Sequence, residues 1–202
     1  MKRLHFARVL GLLISVAALA FGQYEDPILW FHTDQEIRVA NLPPPKAMPK
    51  GSSVPATALE TVLRDPLVCC GKDSALEDVL LSDRLTLKEL GAKVRGWHRL
   101  SNGESVFVNA TYIAQGAILA ESILGPLRQQ QALLLEWDSR LYVLYGAAFN
   151  EARYSSGRRT YAITRLLLLD PRYNDQRRET AFDRGADDFA RVQGILALSV
   201  TR

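Results

Sequence analysis

The chain has 202 residues, with 25 lysines and arginines against 22 acids, 48% hydrophobic residues, 8% aromatics and two cysteines. That length suits one domain with an arm and buries a core without metal or disulfide staples, and the composition excludes a wholly disordered chain. Two cysteines exclude a disulfide framework, and a formal charge of +3 is only mildly basic.

The excess charge sits at the N-terminus. Lys2, Arg3 and Arg8 precede an apolar stretch from Val9 to Ala20 with small residues at Ala18 and Ala20. This is the layout of a secretory signal peptide over residues 1–20, cleaved after Ala20 or Gly22. Twelve helical residues reach only about 18 Å, short of a roughly 30 Å hydrocarbon core, so a membrane anchor is the poorer reading. Residues 1–22 hold no acid; removing these three cations leaves 22 basic residues against 22 acidic ones. The mature chain is then formally neutral, which speaks against nucleic acid or an anionic membrane surface as partner. We expect an exported monomer, periplasmic or secreted, with no integral membrane segment after cleavage.

Residues 21–55 read as an N-terminal arm and proline-rich linker. An apolar cluster, Ile28 to Phe31, is followed by five prolines between Pro43 and Pro55, which exclude a helix or a central strand. Residues 56–202 read as an α+β domain, helices first and a largely antiparallel sheet second. Ala56 to Arg64 is a short helix stopped by Asp65-Pro66. Ser74-x-x-Glu77 has the form of a capping box opening a further helix, and Thr86 to Val94 forms another. Val106 to Val108 is a strand after the turn at residues 101–104, and residues 112–130 contain a helix broken near Gly125-Pro126. Ala132 to Trp137 and Leu141 to Tyr145 form a hairpin about Asp138-Ser139-Arg140; Thr160 to Leu169 and Val192 to Val200 are further strands. Arg153 to Arg159 is a polar loop, and Arg177-Arg178-Glu179 reads as a solvated loop or helix face.

Cys69-Cys70-Gly71 lies directly before the segment with the capping pattern. A helix N-terminus favours a thiolate, so a nucleophile there is one reading; a buried pair or a strained vicinal disulfide is the other. No glycine-rich phosphate loop, zinc-type Cys/His spacing or serine elbow is present, and no cofactor or metal is expected. Asp183, Asp187 and Asp188 lack the spacing of a calcium loop.

The run Cys70-Gly71-Lys72-Asp73-Ser74-Ala75-Leu76 resembles the Cys-Gly-x-x-Ser segment that opens the central helix of papain-like peptidases of the bacteriocin-processing, C39-like kind. Leu141 to Gly146, and Leu169-Asp170-Pro171 after it, are similar to that family's later strand and Asp-Pro in order and spacing. The resemblance spans about half the chain. It implies a papain-like fold, Cys70 as nucleophile, Asp170 as the acid that orients a base, and a peptide or protein as substrate or partner. Two positions depart from the pattern. The family's histidine falls at Arg140, and residues 61–68 lack its oxyanion glutamine. Arginine does not exchange protons near neutrality, so it is no general base. His98 and His32 are the substitutes the mature chain offers, though each reads first as a structural or surface histidine. Asp170-Pro171 also reads as a plain strand-ending turn. Trp137, Tyr142 and Tyr145 lie on strands and read as core. Arg140, Tyr142 and Trp97 are the candidates for contact with a ligand. The two functions left open are a cysteine peptidase homologue and an inactive envelope binding protein of the same fold.

Overall fold

The computed structural model describes residues 26–40, 42, 53–69, 73–80, 85–172, 177–181 and 191–202. The signal-like segment, most of the proline-rich run, Cys70 and the acidic residues 183–188 lie outside them. The described residues form an α+β fold built on an eight-stranded sheet.

Two of the helices follow directly from their caps. Helix α1 (Val54–Leu63) starts at Ser53, whose hydroxyl accepts from the Ala56 amide at 3.1 Å and donates to the Leu80 carbonyl at 2.8 Å. Pro55 is therefore a first-turn residue of a helix, a place where its missing N–H costs nothing, rather than the end of the linker. The helix ends at Arg64, in the left-handed region at φ 54°, and the one-turn helix α2 (Pro66–Cys69) follows. The capping pattern at Ser74 does not operate. Its hydroxyl is buried without a hydrogen-bond partner, only its carbonyl meets the Glu77 amide, and helix α3 (Glu77–Leu80) is a single turn. A reciprocal capping box exists one helix later. In α4 (Leu87–Val94) the Thr86 hydroxyl accepts from the Glu89 amide at 3.2 Å while the Glu89 carboxylate accepts from the Thr86 amide at 2.9 Å.

Strands β2 (Gly96–Arg99) and β3 (Ser105–Ala114) form a hairpin, followed by helix α5 (Ala120–Arg128). Pro126 does not break α5, which runs through it to Arg128. Then come β4 (Leu133–Trp137), β5 (Arg140–Tyr154), β6 (Arg159–Leu169), β7 (Arg177–Ala181) and β8 (Val192–Thr201). The order across the sheet is β2-β3-β8-β4-β5-β6-β7, so the last strand of the chain is inserted between β3 and β4. The pairs β2/β3, β3/β8, β8/β4, β4/β5 and β6/β7 are antiparallel. Arg177 to Glu179, expected in a loop or helix, thus belong to a strand beside β6.

The supposed arm contributes a strand of its own, β1 (Ile28–Arg38), which pairs with β5. The Val39 amide donates to the Tyr145 carbonyl and the Asp34 amide to the Asn150 side chain, an antiparallel register just past the point where β4, ending its pairing at Leu133–Leu144, leaves off. Gln130 closes the seam between them. Its side chain accepts from the Ala40 amide at 2.7 Å and donates to the Arg38 carbonyl at 3.4 Å, as a peptide unit of a continuous strand would.

The core is leucine-rich. Leu133 to Leu135, Val143, Leu144, Leu166, Leu167 and Leu196 are all fully enclosed. Helix α4 packs on β3 and β8, and α1 on β4 and β8. The described residues fall into two compact units: those within 32–151 and 161–202, and residues 26–31 with 152–160. In the smaller unit the Ser155 amide donates to the Pro27 carbonyl, Arg153 lies 5.9 Å from the centre of the Trp30 ring, and Ile28, Leu29 and Phe31 are exposed. No helix among the described residues is long and apolar enough to cross a membrane.

At Gly146 the β1 backbone lies close against β5. A Cβ there would stand 2.7 Å from the Ile37 carbonyl oxygen and 2.8 Å from a Leu167 methyl. Because the first of these is backbone, it cannot swing aside. Gly146→Ala should destabilise the protein by about 1–3 kcal/mol, measured by urea unfolding; an unchanged midpoint would show that β1 yields freely.

Candidate functional site

The site is a cavity of about 200 Å³ at the turn between β4 and β5. Val54, Pro55, Leu85, Leu87 and Leu141 supply much of its apolar wall. Thr86, Glu136, Ser139, Arg140 and Arg172 are the polar residues among its lining. Position 140, where the resemblance puts a histidine, therefore does lie in a cavity wall.

A tight two-residue turn aims Arg140. Asp138 and Ser139 both have positive φ, 47° and 58°, which the hairpin twist demands and for which neither is a glycine. The strain is held by the entry to β8. Arg191 clamps the Asp138 carboxylate with two guanidinium nitrogens and lies 5.2 Å from the centre of the Trp137 ring. The Trp137 indole donates to the same carboxylate at 3.1 Å, and the Gln193 side chain accepts from the Ser139 amide. The hydrogen bond from Arg191, foremost, holds the Asp138 carboxyl below the ordinary aspartate value of 3.8.

Asp170 is fully buried at the end of β6. Its two oxygens take a bidentate pair from Arg172 at 2.9 and 2.8 Å, and one also accepts the Arg172 amide at 3.1 Å. The carboxylate is thus engaged by its own turn, which is the strand-ending reading.

Neither histidine lines the cavity. His98 is on β2, with β3, β8 and β4 between it and β5, roughly 19 Å at about 4.8 Å per strand step. Its Nε2 faces the Val94 carbonyl at 2.9 Å; a carbonyl only accepts, so that nitrogen carries the proton. His32 is an exposed residue of β1. Trp97, beside His98, is 72% exposed and meets Phe107 edge to face at 5.4 Å. Tyr142 is buried in the core and does not line the cavity. Of the residues singled out in the sequence, Arg140 alone is a cavity residue among those described. Glu136, Thr86 and Arg172 were not anticipated; Arg172, two residues after Asp170 in an Asp-Pro-Arg run, had the clearest signal.

Cys69 is buried at the end of α2, is disulfide-bonded, and its sulfur lies 3.0 Å from the Asp65 carbonyl oxygen. The chain has one other cysteine, Cys70. The helix expected to stabilise a thiolate is α3, a single turn whose dipole is correspondingly small. No group of three or more His, Cys, Asp or Glu among the described residues is placed to hold a metal ion.

Two outcomes follow. Asp170→Asn should cost about 2–3 kcal/mol, because it strips the charge from a buried bidentate pair; denaturant melts check this, and an unaltered midpoint would leave Asp170 no structural role. The Asp138 carboxyl has a lowered folded value, so its contribution to stability is present above the ordinary value and is lost as pH falls through the folded one. In Arg191→Ala its NMR titration should move back up toward 3.8, and a titration left in place would remove Arg191 as the cause. In comparisons with known proteins, no family model, no curated protein and no solved structure matches this chain.

Proposed function

We propose that this chain is an exported binding protein on a fold resembling the papain-like, C39-like peptidases, and that its cavity receives part of a peptide or protein without cleaving it. The supporting observation is the identity and setting of Arg140. It lines the cavity, the resemblance would put a histidine at its position, and neither described histidine shares that cavity. A guanidinium orients and neutralises an anion well, but it neither takes a proton from a thiol nor gives one to a leaving amine. The disulfide at Cys69 favours the same reading, since Cys70 is the one partner the sequence offers and an oxidised sulfur is no nucleophile.

The alternative is hydrolysis through a Cys70 thiolate. Iodoacetamide labelling followed by intact mass separates the two. Binding without chemistry predicts no alkylation without reductant, two alkylated thiols after reduction and denaturation, and no cleavage of a mixed peptide library. Labelling of Cys70 at pH 6 far faster than a free thiol, together with peptide cleavage, would establish the peptidase.

A further inference from the structure

We propose that the smaller unit, residues 26–31 with 152–160, is a docking tip that sets the exported protein on the surface of an anionic phospholipid bilayer. The proposal goes beyond the cavity and does not depend on what the cavity binds. The unit is built from the start of β1 and the end of β5, tied by the bond from the Ser155 amide to the Pro27 carbonyl. Ile28, Leu29 and Phe31 are 56, 63 and 55% exposed there, although with Trp30 they form an unbroken apolar run. Successive strand residues point to opposite faces, so Ile28 and Trp30 share one face and Leu29 and Phe31 the other. Apolar groups thus project from both sides of the strand. A protein lying on the sheet would cover one face, and a strand added along the edge would cover neither. A fluid apolar medium wets both, which favours lipid.

The charge of the unit complements such a surface. Arg153, Arg158 and Arg159 stand against one described acid, Asp26, and cations still outnumber acids when Glu25, next to it in sequence, is counted. Formal neutrality of the mature chain is an average that hides this local excess. Arg153 lies 5.9 Å from the centre of the Trp30 ring and Arg158 4.3 Å from that of Tyr154, and a ring contact leaves the guanidinium charge in place. Aromatic rings with arginines over them, beside exposed aliphatic side chains, make an interfacial anchor. The hydrocarbon enters the acyl boundary while the guanidinium groups stay with the lipid phosphates. The contact is shallow. Among the described residues β1 is paired along one edge, by β5, and the backbone groups of an open edge do not exchange water for hydrocarbon. From Ile28 to Phe31 the strand runs about 10 Å, comparable to the depth reached at headgroup level. The sequence also brings the unit to a bilayer. Ile28 follows Ala20, the end of the apolar stretch, by eight residues, at most about 29 Å of extended chain, so it meets the membrane surface during export.

Vesicle flotation tests it on the exported form, which begins at Phe21 or Gln23 once the signal-like segment is removed. The probes are vesicles of phosphatidylcholine alone and vesicles in which about a third of the lipid is phosphatidylglycerol. The protein should float with the anionic vesicles, bind the neutral ones about tenfold less or weaker still, and be released by added salt. Leu29→Thr with Phe31→Thr keeps the strand preference and should lose about tenfold or more on anionic vesicles. Arg153→Gln with Arg158→Gln should lose about tenfold or more on the same vesicles. No flotation of protein with a native circular-dichroism spectrum, unchanged flotation of either double variant, or equal binding to both vesicle types would each overturn the proposal. Sedimentation velocity on the same samples covers the rival occupant. A concentration-dependent dimer that Leu29→Thr with Phe31→Thr abolishes, without vesicle binding, would assign the patch to a second copy of the chain and overturn the lipid reading.

Discussion

Strand β5 must find hydrogen-bond partners for 15 residues, of which Tyr142 to Phe149 are buried. A buried backbone left unpaired is costly, so the rest of the sheet is arranged to meet that demand. One side of β5 is served by β6, and the other is divided between β4 and β1, which come from distant parts of the chain. Gly146 lets the β1 backbone approach, and Gln130 supplies the peptide-like contacts at the join.

The candidate site is a product of the same strand. Arg140 is the first residue of β5, and the turn before it leads back to β4. Precise aim there comes from two non-glycine residues at positive φ, held by Arg191 and Gln193 from the neighbouring β8. The cavity is completed by the beginnings of α1 and α4 and by the turn after β6. Rigid element ends, rather than a long loop, therefore fix the polar groups. Asp170 and Arg172 satisfy one another in the turn after β6.

What the sequence made legible was what hydrophobic runs encode. Leu133 to Leu135, Val143 to Tyr145 and Leu166 to Leu169 are continuous apolar stretches, and strands buried on both faces read that way. Strand β1 lacks such a run beyond Phe31 because most of its residues are exposed, so its sequence has the look of an arm. Ser74 and Thr86 show the limit of local motifs. Both carry a glutamate three residues on, yet only Thr86 turns its hydroxyl to the helix amides. Position 140 came from a resemblance in order and spacing. Its companions Glu136, Thr86 and Arg172 are contributed by separate segments and meet only through the sheet, so no spacing rule could assemble them.

Divided service of β5 has a temporal consequence. β4 and β5 are joined by two residues, so that part of the edge closes early at little entropic cost. Val39 and Tyr145, by contrast, are more than a hundred residues apart in sequence. During synthesis β1 emerges before β2, β3 and β4, and its partner β5 only after them, so a segment bearing Ile28, Leu29 and Phe31 stays without a mate for several seconds at ribosomal speed. Such an apolar strand edge is the kind that recruits other chains. The newborn protein is therefore most vulnerable at its own beginning, and a holding factor that shelters this segment until β5 is made would do more for yield than one acting on the finished fold.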